Sequence, residues 1–166
     1  PNGRYPMKET MPAMETLVDR GMIRYIGVSN FNVDEMEEAV SALRNNPLVS
    51  NQVIYNLNTR GIEEDVIPYC VRHNITVMAY TPLDDGNLAG GLRHSSEKMA
   101  VLEEIAEETG KTMAQVALNW CTYGENVIAI PKSNTLLRTV ENCEASGWRL
   151  TPAQKERLDS AFEGHW

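Results

Sequence analysis

The sequence predicts an α/β fold in which parallel strands alternate with helices. Four short runs are rich in apolar and β-branched residues, as the buried strands of a parallel sheet are. Segments with apolar residues at helical spacing separate these runs. Successive strand–helix–strand units connect through right-handed crossovers, so they build one parallel sheet. The predicted strands are 24–28, 51–55, 75–80 and 127–130.

Helices flank each strand in the first half of the chain. Met11, Met14 and Leu17 stand at helical spacing, and Gly21 follows them as a C-terminal cap. An acidic helix comes after the first strand, and another helix comes after the second. The predicted helices are 8–20, 33–43 and 62–73.

The second half continues the pattern with clearer helix signals. Thr112 and Gln115 form a capping box, and Thr151, Pro152 and Gln154 form a second one with proline at the first helical position. The Gly-rich segment DDGNLAGG after the third strand is expected to be a mobile loop. The predicted helices are 96–109, 113–122, a segment ending near 145, and a last helix ending near 162.

Composition excludes several classes of protein. The 166 residues carry a formal charge of -8, which disfavours nucleic acid as a partner. No apolar run approaches the roughly 20 residues of a membrane span. The three cysteines and three histidines have no metal-ligand spacing, so we expect no metal, reduced thiols and a cytoplasmic protein. These residues are Cys70, Cys121, Cys143, His73, His94 and His165.

The segment IPKSNTLLRTVEN, at 130–142, predicts a phosphate site. Lys132 and Ser133 follow the fourth strand directly, and a helix carrying Arg138, Glu141 and Asn142 on one face comes next. A helix N-terminus attracts anions, and lysine and arginine beside it suit a phosphate. Asn142 adds an amide that could read a base edge. The alternative is a solvated helix whose cations only maintain solubility.

Polar residues also end the other three strands. The first strand ends in Ser29 and Asn30, the second carries Gln52, and the third ends in Tyr80 and Thr81. Ligands bind at this edge of a barrel-type parallel sheet. Amides on neighbouring strands can hold a carboxamide, and a ring can stack on a flat heterocycle. As alternatives, Ser29 and Asn30 could cap a helix and Tyr80 could be a core aromatic.

Together these segments resemble the aldo-keto reductases over essentially the whole chain. The matching words are RYIGVSNF (24–31), NQVIYN (51–56), VMAYTPL (77–83), AQVALNW (114–120) and IPKSNTLLRTVEN (130–142). The resemblance implies a (β/α)8 barrel that reduces aldehydes and ketones with NADPH, without metal or flavin. It also implies that residues 1–166 form a single unit, the C-terminal half of that barrel, with about four strands and a final helix.

The resemblance assigns eleven residues to the cofactor. Ser29, Asn30 and Gln52 would hold the nicotinamide carboxamide, and Tyr80 would stack on the ring. Thr81 and Leu83 would lie along the pyrophosphate. The 2′-phosphate would be bound by Lys132, Ser133 and Arg138, and the adenine by Glu141 and Asn142.

The family's catalytic Asp, Tyr, Lys and His have no counterpart in these 166 residues. The chain begins at Pro1 in a loop-like PNG segment, as a piece from mid-protein would. We therefore predict no catalytic residue and no carbonyl reduction by this chain alone. The alternatives are a non-catalytic NADP(H)-binding module and a self-assembling half-barrel interaction unit, because exposed strand edges and apolar faces favour self-association.

Overall fold

The computed structural model describes residues 6–90 and 97–163, in which strands and helices alternate as the sequence predicts. The expectations about the Pro1 loop, His94 and His165 fall outside these residues. The strands are β1 (Ile26–Ser29), β2 (Leu48–Ile54), β3 (Thr76–Tyr80) and β4 (Val127–Ala129). The helices are α1 (Met7–Asp19), α2 (Val33–Ala42), α3 (Val66–Arg72), α4 (Glu97–Thr109), α5 (Met113–Cys121), α6 (Leu136–Cys143) and α7 (Pro152–Ala161).

Two predicted segments differ from the structure. The helix expected over 62–73 is shorter, because a 3₁₀ turn at Gly61–Glu63 precedes α3 and Asp65 caps the helix by accepting the Val66 N–H. The segment expected to be a mobile loop contains 3₁₀ turns within Asp84–Ala89, and a kink at Asp85 and Gly86, with φ of 53° and 93°, interrupts them. Aspartate and asparagine tolerate the left-handed conformations that such a tight segment requires.

Local capping explains where most helices begin. The expected capping boxes of α5 and α7 are present, with Thr112 and Thr151 as the capping residues. A third box, between Asn32 and Glu35, starts α2. Gly21 follows α1 with φ of 67°. Each cap supplies a partner to a backbone group that the helix leaves unpaired.

The contacts divide the chain into two compact units, and the first comprises Pro1–Val53 and Glu63–Met78. In it β1 pairs with β2 in parallel, with Val28 opposite Asn51 and Ser29 opposite Gln52. A side chain at Gly27 would collide with the Ser50 hydroxyl, so the close approach of these strands requires glycine there. Its core is apolar and includes Met11, Ile26, Met36, Ala39, Val53, Cys70, Ile75 and Val77.

The second unit comprises Ile54–Ile62 and Ala79–Trp166. Trp120 is the largest of its fully buried side chains, and its ring centroid lies 5.3 Å from that of Tyr55. The other core residues of this unit include Leu57, Leu88, Leu102, Ile105, Val116, Leu158 and Phe162.

The strands belong to one four-stranded sheet in the order β1-β2-β3-β4. This order is the one that successive strand–helix–strand units predict, so the α/β class with a parallel sheet is confirmed. The prediction that residues 1–166 act as a single unit stays a prediction. None of the described helices is both long and apolar enough to span a bilayer.

Candidate functional site

A cavity of about 890 Å³ lies within the second unit and gathers most of the predicted site residues. One wall is the segment that follows β3, and the other is the segment from Ile130 through α6. The volume is in the upper part of the range for small-molecule and cofactor pockets. The predicted residues that line it are Tyr80, Thr81, Leu83, Lys132, Ser133, Arg138, Glu141 and Asn142.

The wall after β4 is shaped by local hydrogen bonds. The Ser133 hydroxyl donates to the Thr135 carbonyl (2.9 Å), and the Thr135 hydroxyl accepts the Arg138 N–H (3.3 Å). Thr135 is therefore the N-cap, and α6 begins at Leu136, later than the sequence predicts. As a result Lys132 and Ser133 lie in an extended segment before the helix. The cavity is lined by residues of that segment and of α6.

Lys132 and Arg138 are the cations of this cavity, and both are exposed. Among residues 6–90 and 97–163, neither side chain takes part in an ion pair or a side-chain hydrogen bond. The remaining described lysines and arginines of the second unit all have a carboxylate, an amide or an aromatic ring as partner. They are Arg60, Lys98, Lys111, Arg149, Lys155 and Arg157.

This arrangement suits a ligand that carries a phosphate. The ammonium and the guanidinium on one wall of the cavity are two positively charged hydrogen-bond donors. Arginine in particular binds phosphate oxygens in a bidentate manner. Asn142 and Glu141, both half-buried, add an amide and a carboxylate that can pair with a polar heterocycle. The donor set therefore fits a phosphorylated nucleotide.

The opposite wall comes from β3 and the segment after it. Tyr80 is half-buried and lines the cavity. Thr81 follows with φ of 51°, an uncommon conformation for a β-branched residue. The 3₁₀ turns within Asp84–Ala89 then continue the wall, so part of the segment expected to be mobile lines the cavity.

Ser29, Asn30 and Gln52 lie together in the first unit. The Ser29 hydroxyl and the Asn30 N–H both donate to the Gln52 carbonyl, at 2.9 and 2.8 Å. Asn30 adopts φ of 57°. Neither Ser29 nor Asn30 caps α2, because Asn32 performs that role. Their assignment to a carboxamide stays a prediction.

The buried amide of β2 and several residues that line the cavity were not predicted from the sequence. Asn51 is fully buried in the first unit, where its side chain donates to the Phe31 carbonyl (2.8 Å) and accepts the Phe31 N–H (3.4 Å). It stands next to Gln52, which is half-buried. The cavity also has Asp85 and Asn134 in its lining. The sequence signal that could have identified Asp85 is Asp-Asp-Gly at 84–86, which is typical of left-handed turns.

The cysteines offer no reactive centre in the interior. Burial raises the pKa of the Cys70 thiol to about 11 and that of the Cys121 thiol to about 12. Both therefore stay protonated at neutral pH, while Cys143 is exposed. In the described part of the chain, no group of three His, Cys, Asp or Glu side chains is placed to hold a metal ion.

Comparison with known proteins identifies the class to which this fold and cavity belong. A model of the Aldo/keto reductase family matches residues 1–163. Methylglyoxal reductase YeaE of Escherichia coli (strain K12) is 38% identical over 161 residues, which are 97% of this chain and 56% of the relative. The chain therefore belongs to the aldo/keto reductase family.

Solved structures agree with this assignment. A thermostable aldo-keto reductase in complex with the inhibitor epalrestat matches with a TM-score of 0.88 at 38% identity, over 97% of this chain and 57% of that one. An aldo/keto reductase from Klebsiella pneumoniae in complex with NADP and acetate matches with a TM-score of 0.84 at 37% identity, over 96% and 56%. The partial-barrel prediction is confirmed, and the chain spans about half the length of the curated relatives it matches.

Proposed function

We propose that the cavity of the second unit binds NADP(H), and that this chain is the cofactor-binding half of a reductase acting on aldehydes and ketones. The observation that carries the proposal is the pair of cations, Lys132 and Arg138, which line the cavity without partners among the described residues. A 2′-phosphate would be the anionic partner of these two side chains. The NADP bound by the related Klebsiella enzyme supports this choice.

The eleven site residues divide according to the part of the cofactor that each would bind. Cations and a hydroxyl would hold the 2′-phosphate, a carboxylate and an amide the adenine, and a ring the nicotinamide. The 2′-phosphate set is Lys132, Ser133 and Arg138, and the adenine set is Glu141 and Asn142. Thr81 and Leu83 would bind the pyrophosphate, and Tyr80 would stack on the nicotinamide ring. The nicotinamide carboxamide would be held by Ser29, Asn30 and Gln52.

In the complete reductase the bound cofactor supplies a hydride to a small-molecule carbonyl compound. The residues of this chain bind and orient the cofactor, and none of them is assigned to proton transfer. We therefore propose that the 166-residue chain by itself does not reduce carbonyl compounds. Oxidation of NADPH by the isolated chain in the presence of an aldehyde such as methylglyoxal would contradict this.

The test of the cofactor site compares NADPH with NADH, since the two differ only in the 2′-phosphate. Each charge-assisted bond to a phosphate contributes roughly 1.5–3 kcal/mol. We expect the double variant Lys132→Ala/Arg138→Ala to bind NADPH about 100-fold more weakly and NADH nearly unchanged. Fluorescence titration of the purified chain with each nucleotide measures both affinities.

The matched control removes one lysine and one arginine from another surface. Lys8 and Arg20 are exposed on and just after α1, in the first unit. The double variant Lys8→Ala/Arg20→Ala changes the net charge by the same amount and should keep the preference for NADPH. Equal losses in the two variants would show that general electrostatics, and not this cavity, determines the preference.

A second candidate function is self-association through apolar surface. Large apolar side chains are strongly exposed on this chain, with Leu136 and Leu137 each 80% exposed and Tyr25 70%. Surfaces of this kind favour burial against another molecule. Sedimentation velocity at increasing concentration, with and without NADPH, separates the two roles. A stable oligomer that binds no nucleotide would favour assembly, whereas a nucleotide-binding chain without activity would favour a non-catalytic NADP(H)-binding module.

We also propose a cytoplasmic location. The three cysteines are free thiols, and two of them are buried. A reducing compartment keeps thiols in this state. Fractionation of cells that express the chain would test this proposal, and recovery with membranes or in the medium would contradict it.

A further inference from the structure

The cavity wall after β3 is held in a strained backbone conformation. Three residues other than glycine have positive φ within five positions, namely Thr81 (51°), Asp84 (48°) and Asp85 (53°). Aspartate tolerates such angles, but a β-branched residue such as Thr81 rarely adopts them and stays there only where surrounding groups hold it. Thr81 and Asp85 both line the cavity. Something in the second unit must therefore maintain this conformation.

A tight turn at 56–59 supplies the groups that hold the wall. Backbone hydrogen bonds in both directions between Asn56 and Thr59 close the turn. The fully buried Asn56 amide donates to the Thr81 carbonyl (2.9 Å). The half-buried Asn58 amide donates to Asp84 Oδ2 (3.0 Å). The turn thus binds the wall at two of its strained residues.

The orientation of the Asn58 amide is determined by its two partners. Lys98 Nζ donates to Asn58 Oδ1 (2.6 Å), so the carbonyl oxygen of the amide is directed toward a group that can only donate. The amide nitrogen is then left to donate to the Asp84 carboxylate, which can only accept. Asn87 donates to the same Asp84 oxygen at 3.1 Å. Asn58 is therefore a fixed link between a cation on α4 and the carboxylate of the wall.

We propose that Asn58 is a positioning residue for the NADP(H) cavity, because through Asp84 it holds the wall formed by residues 81–90 in the conformation that receives the cofactor. This inference rests on the proposed function. A ligand anchored at Lys132 and Arg138 meets the wall after β3 only if it fills the cavity that the two walls enclose. Asn58 should therefore matter for the complete cofactor and not for a fragment that carries only the 2′-phosphate end.

The first test measures two ligands with one variant. For Asn58→Ala we expect NADPH to bind about tenfold more weakly, as loss of one hydrogen bond to a carboxylate implies, and 2′,5′-ADP to bind within about twofold of the wild-type chain. Asn45→Ala, which removes the same amide from an exposed position in the first unit, is the matched control and should change neither affinity. Equal weakening of both ligands by Asn58→Ala would overturn the inference.

The second test needs no ligand. Amide hydrogen exchange over residues 81–90 should become about tenfold faster in Asn58→Ala, while exchange in α5 and α7 stays as in the wild-type chain. Unchanged exchange over 81–90 would contradict the role of Asn58. If the wild-type chain bound neither NADPH nor 2′,5′-ADP, the proposed function would fail, and this exchange measurement would still decide whether Asn58 holds the wall.

An exchange of partners distinguishes a specific hydrogen bond from loss of packing. Asn58→Asp keeps the acceptor for Lys98 but places a carboxylate against Asp84, so NADPH affinity should fall at least as far as in Asn58→Ala. The double variant Asn58→Asp/Asp84→Asn restores a donor and an acceptor with their places reversed. It should recover most of the affinity, and failure to recover any would show that this hydrogen bond does not position the wall.

Discussion

Two sets of cations in the second unit are used in opposite ways. Arg60, Lys155 and Arg157 are each bound to a carboxylate within the protein, at 3.2, 2.5 and 2.5 Å. Lys132 and Arg138 face the cavity and have no such partner in the described residues. The first set stabilises the fold, and the second is available to a ligand.

Asp159 binds two of the three paired cations, Arg60 and Lys155. Its carboxylate accepts the Trp120 Nε1–H (2.9 Å) and pairs with Lys155 and Arg60. The Arg60 guanidinium also lies 5.0 Å from the centroid of the Trp120 ring, within the range of a cation–π contact. One carboxylate thus accepts a hydrogen bond from an indole and pairs with two cations.

The difference shows how charge is divided between stability and binding in an acidic protein. The formal charge of -8 provides enough carboxylates to pair every cation, yet two cations on one cavity have no carboxylate within ion-pairing distance in the described structure. Lys8 and Arg20 are also exposed and have no carboxylate partner among the described residues, so what distinguishes Lys132 and Arg138 is that both line one cavity. The proposed anionic ligand would be their partner there.

The largest effect is expected on the stability side of this comparison. Asp159→Ala leaves the Trp120 N–H, Lys155 and Arg60 without their shared acceptor, and should lower the free energy of unfolding by about 2 kcal/mol, since the site is partly exposed. NADPH affinity should stay unchanged. Urea denaturation and nucleotide titration measure the two quantities. Glu104→Ala, which breaks only an exposed pair with Arg157, is the control, with an expected loss below about 0.5 kcal/mol.

The second-largest effect is expected on NADPH binding and not on stability. Lys132→Ala should weaken NADPH binding about tenfold, which corresponds to about 1.4 kcal/mol, and change the free energy of unfolding by no more than about 0.5 kcal/mol. The same two measurements apply. A loss of stability comparable to that of Asp159→Ala would mean that Lys132 has a structural partner and that the two sets of cations do not differ.

A third effect concerns the first unit and depends on pH. The Asn45 N–H, with those of Arg44 and Asn46, donates to the Glu15 carboxylate and holds the pKa of Glu15 below its usual value. A lowered pKa in the folded state stabilises the protein above the unfolded pKa of about 4.3, and this stabilisation disappears as pH falls through the folded pKa.

The variant Glu15→Gln tests this linkage. We expect it to be less stable than the wild-type chain at neutral pH, and the difference to narrow steadily as the pH is lowered below about 4. Urea denaturation at several pH values gives the difference directly. A difference that stays constant with pH would show that the charge of Glu15 is not what the three amides stabilise.

The smallest effect is expected from salt. Raising the ionic strength from about 0.1 M to about 1 M shortens the Debye length from about 10 Å to about 3 Å, which screens exposed charges most. NADPH affinity, which depends on the exposed Lys132 and Arg138, should fall several-fold. The stability contributed by Asp159 should change little, and an equal response of both would remove the distinction between the two sets of cations.

Features encoded within a few residues could be predicted from the sequence. The capping boxes of α5 and α7, the glycine after α1 and all four strands were found because each depends on residues within a few positions, as a cap or as a short run of apolar and β-branched residues. The words that indicated the family are also local. Eight of the eleven residues expected at the cofactor line one cavity, although their contacts with the cofactor stay a proposal.

Pairings between distant residues were decided only by the tertiary structure. Arg60 meets Asp159 across 99 positions, Asn58 meets Asp84 across 26, and Asn51, not Gln52, became the buried amide of β2. No local pattern distinguishes a cation that will be paired from one that will not, because the partner is chosen by packing. The sequence therefore determined the elements and the family, and the fold decided which charges stabilise the protein and which remain for a ligand.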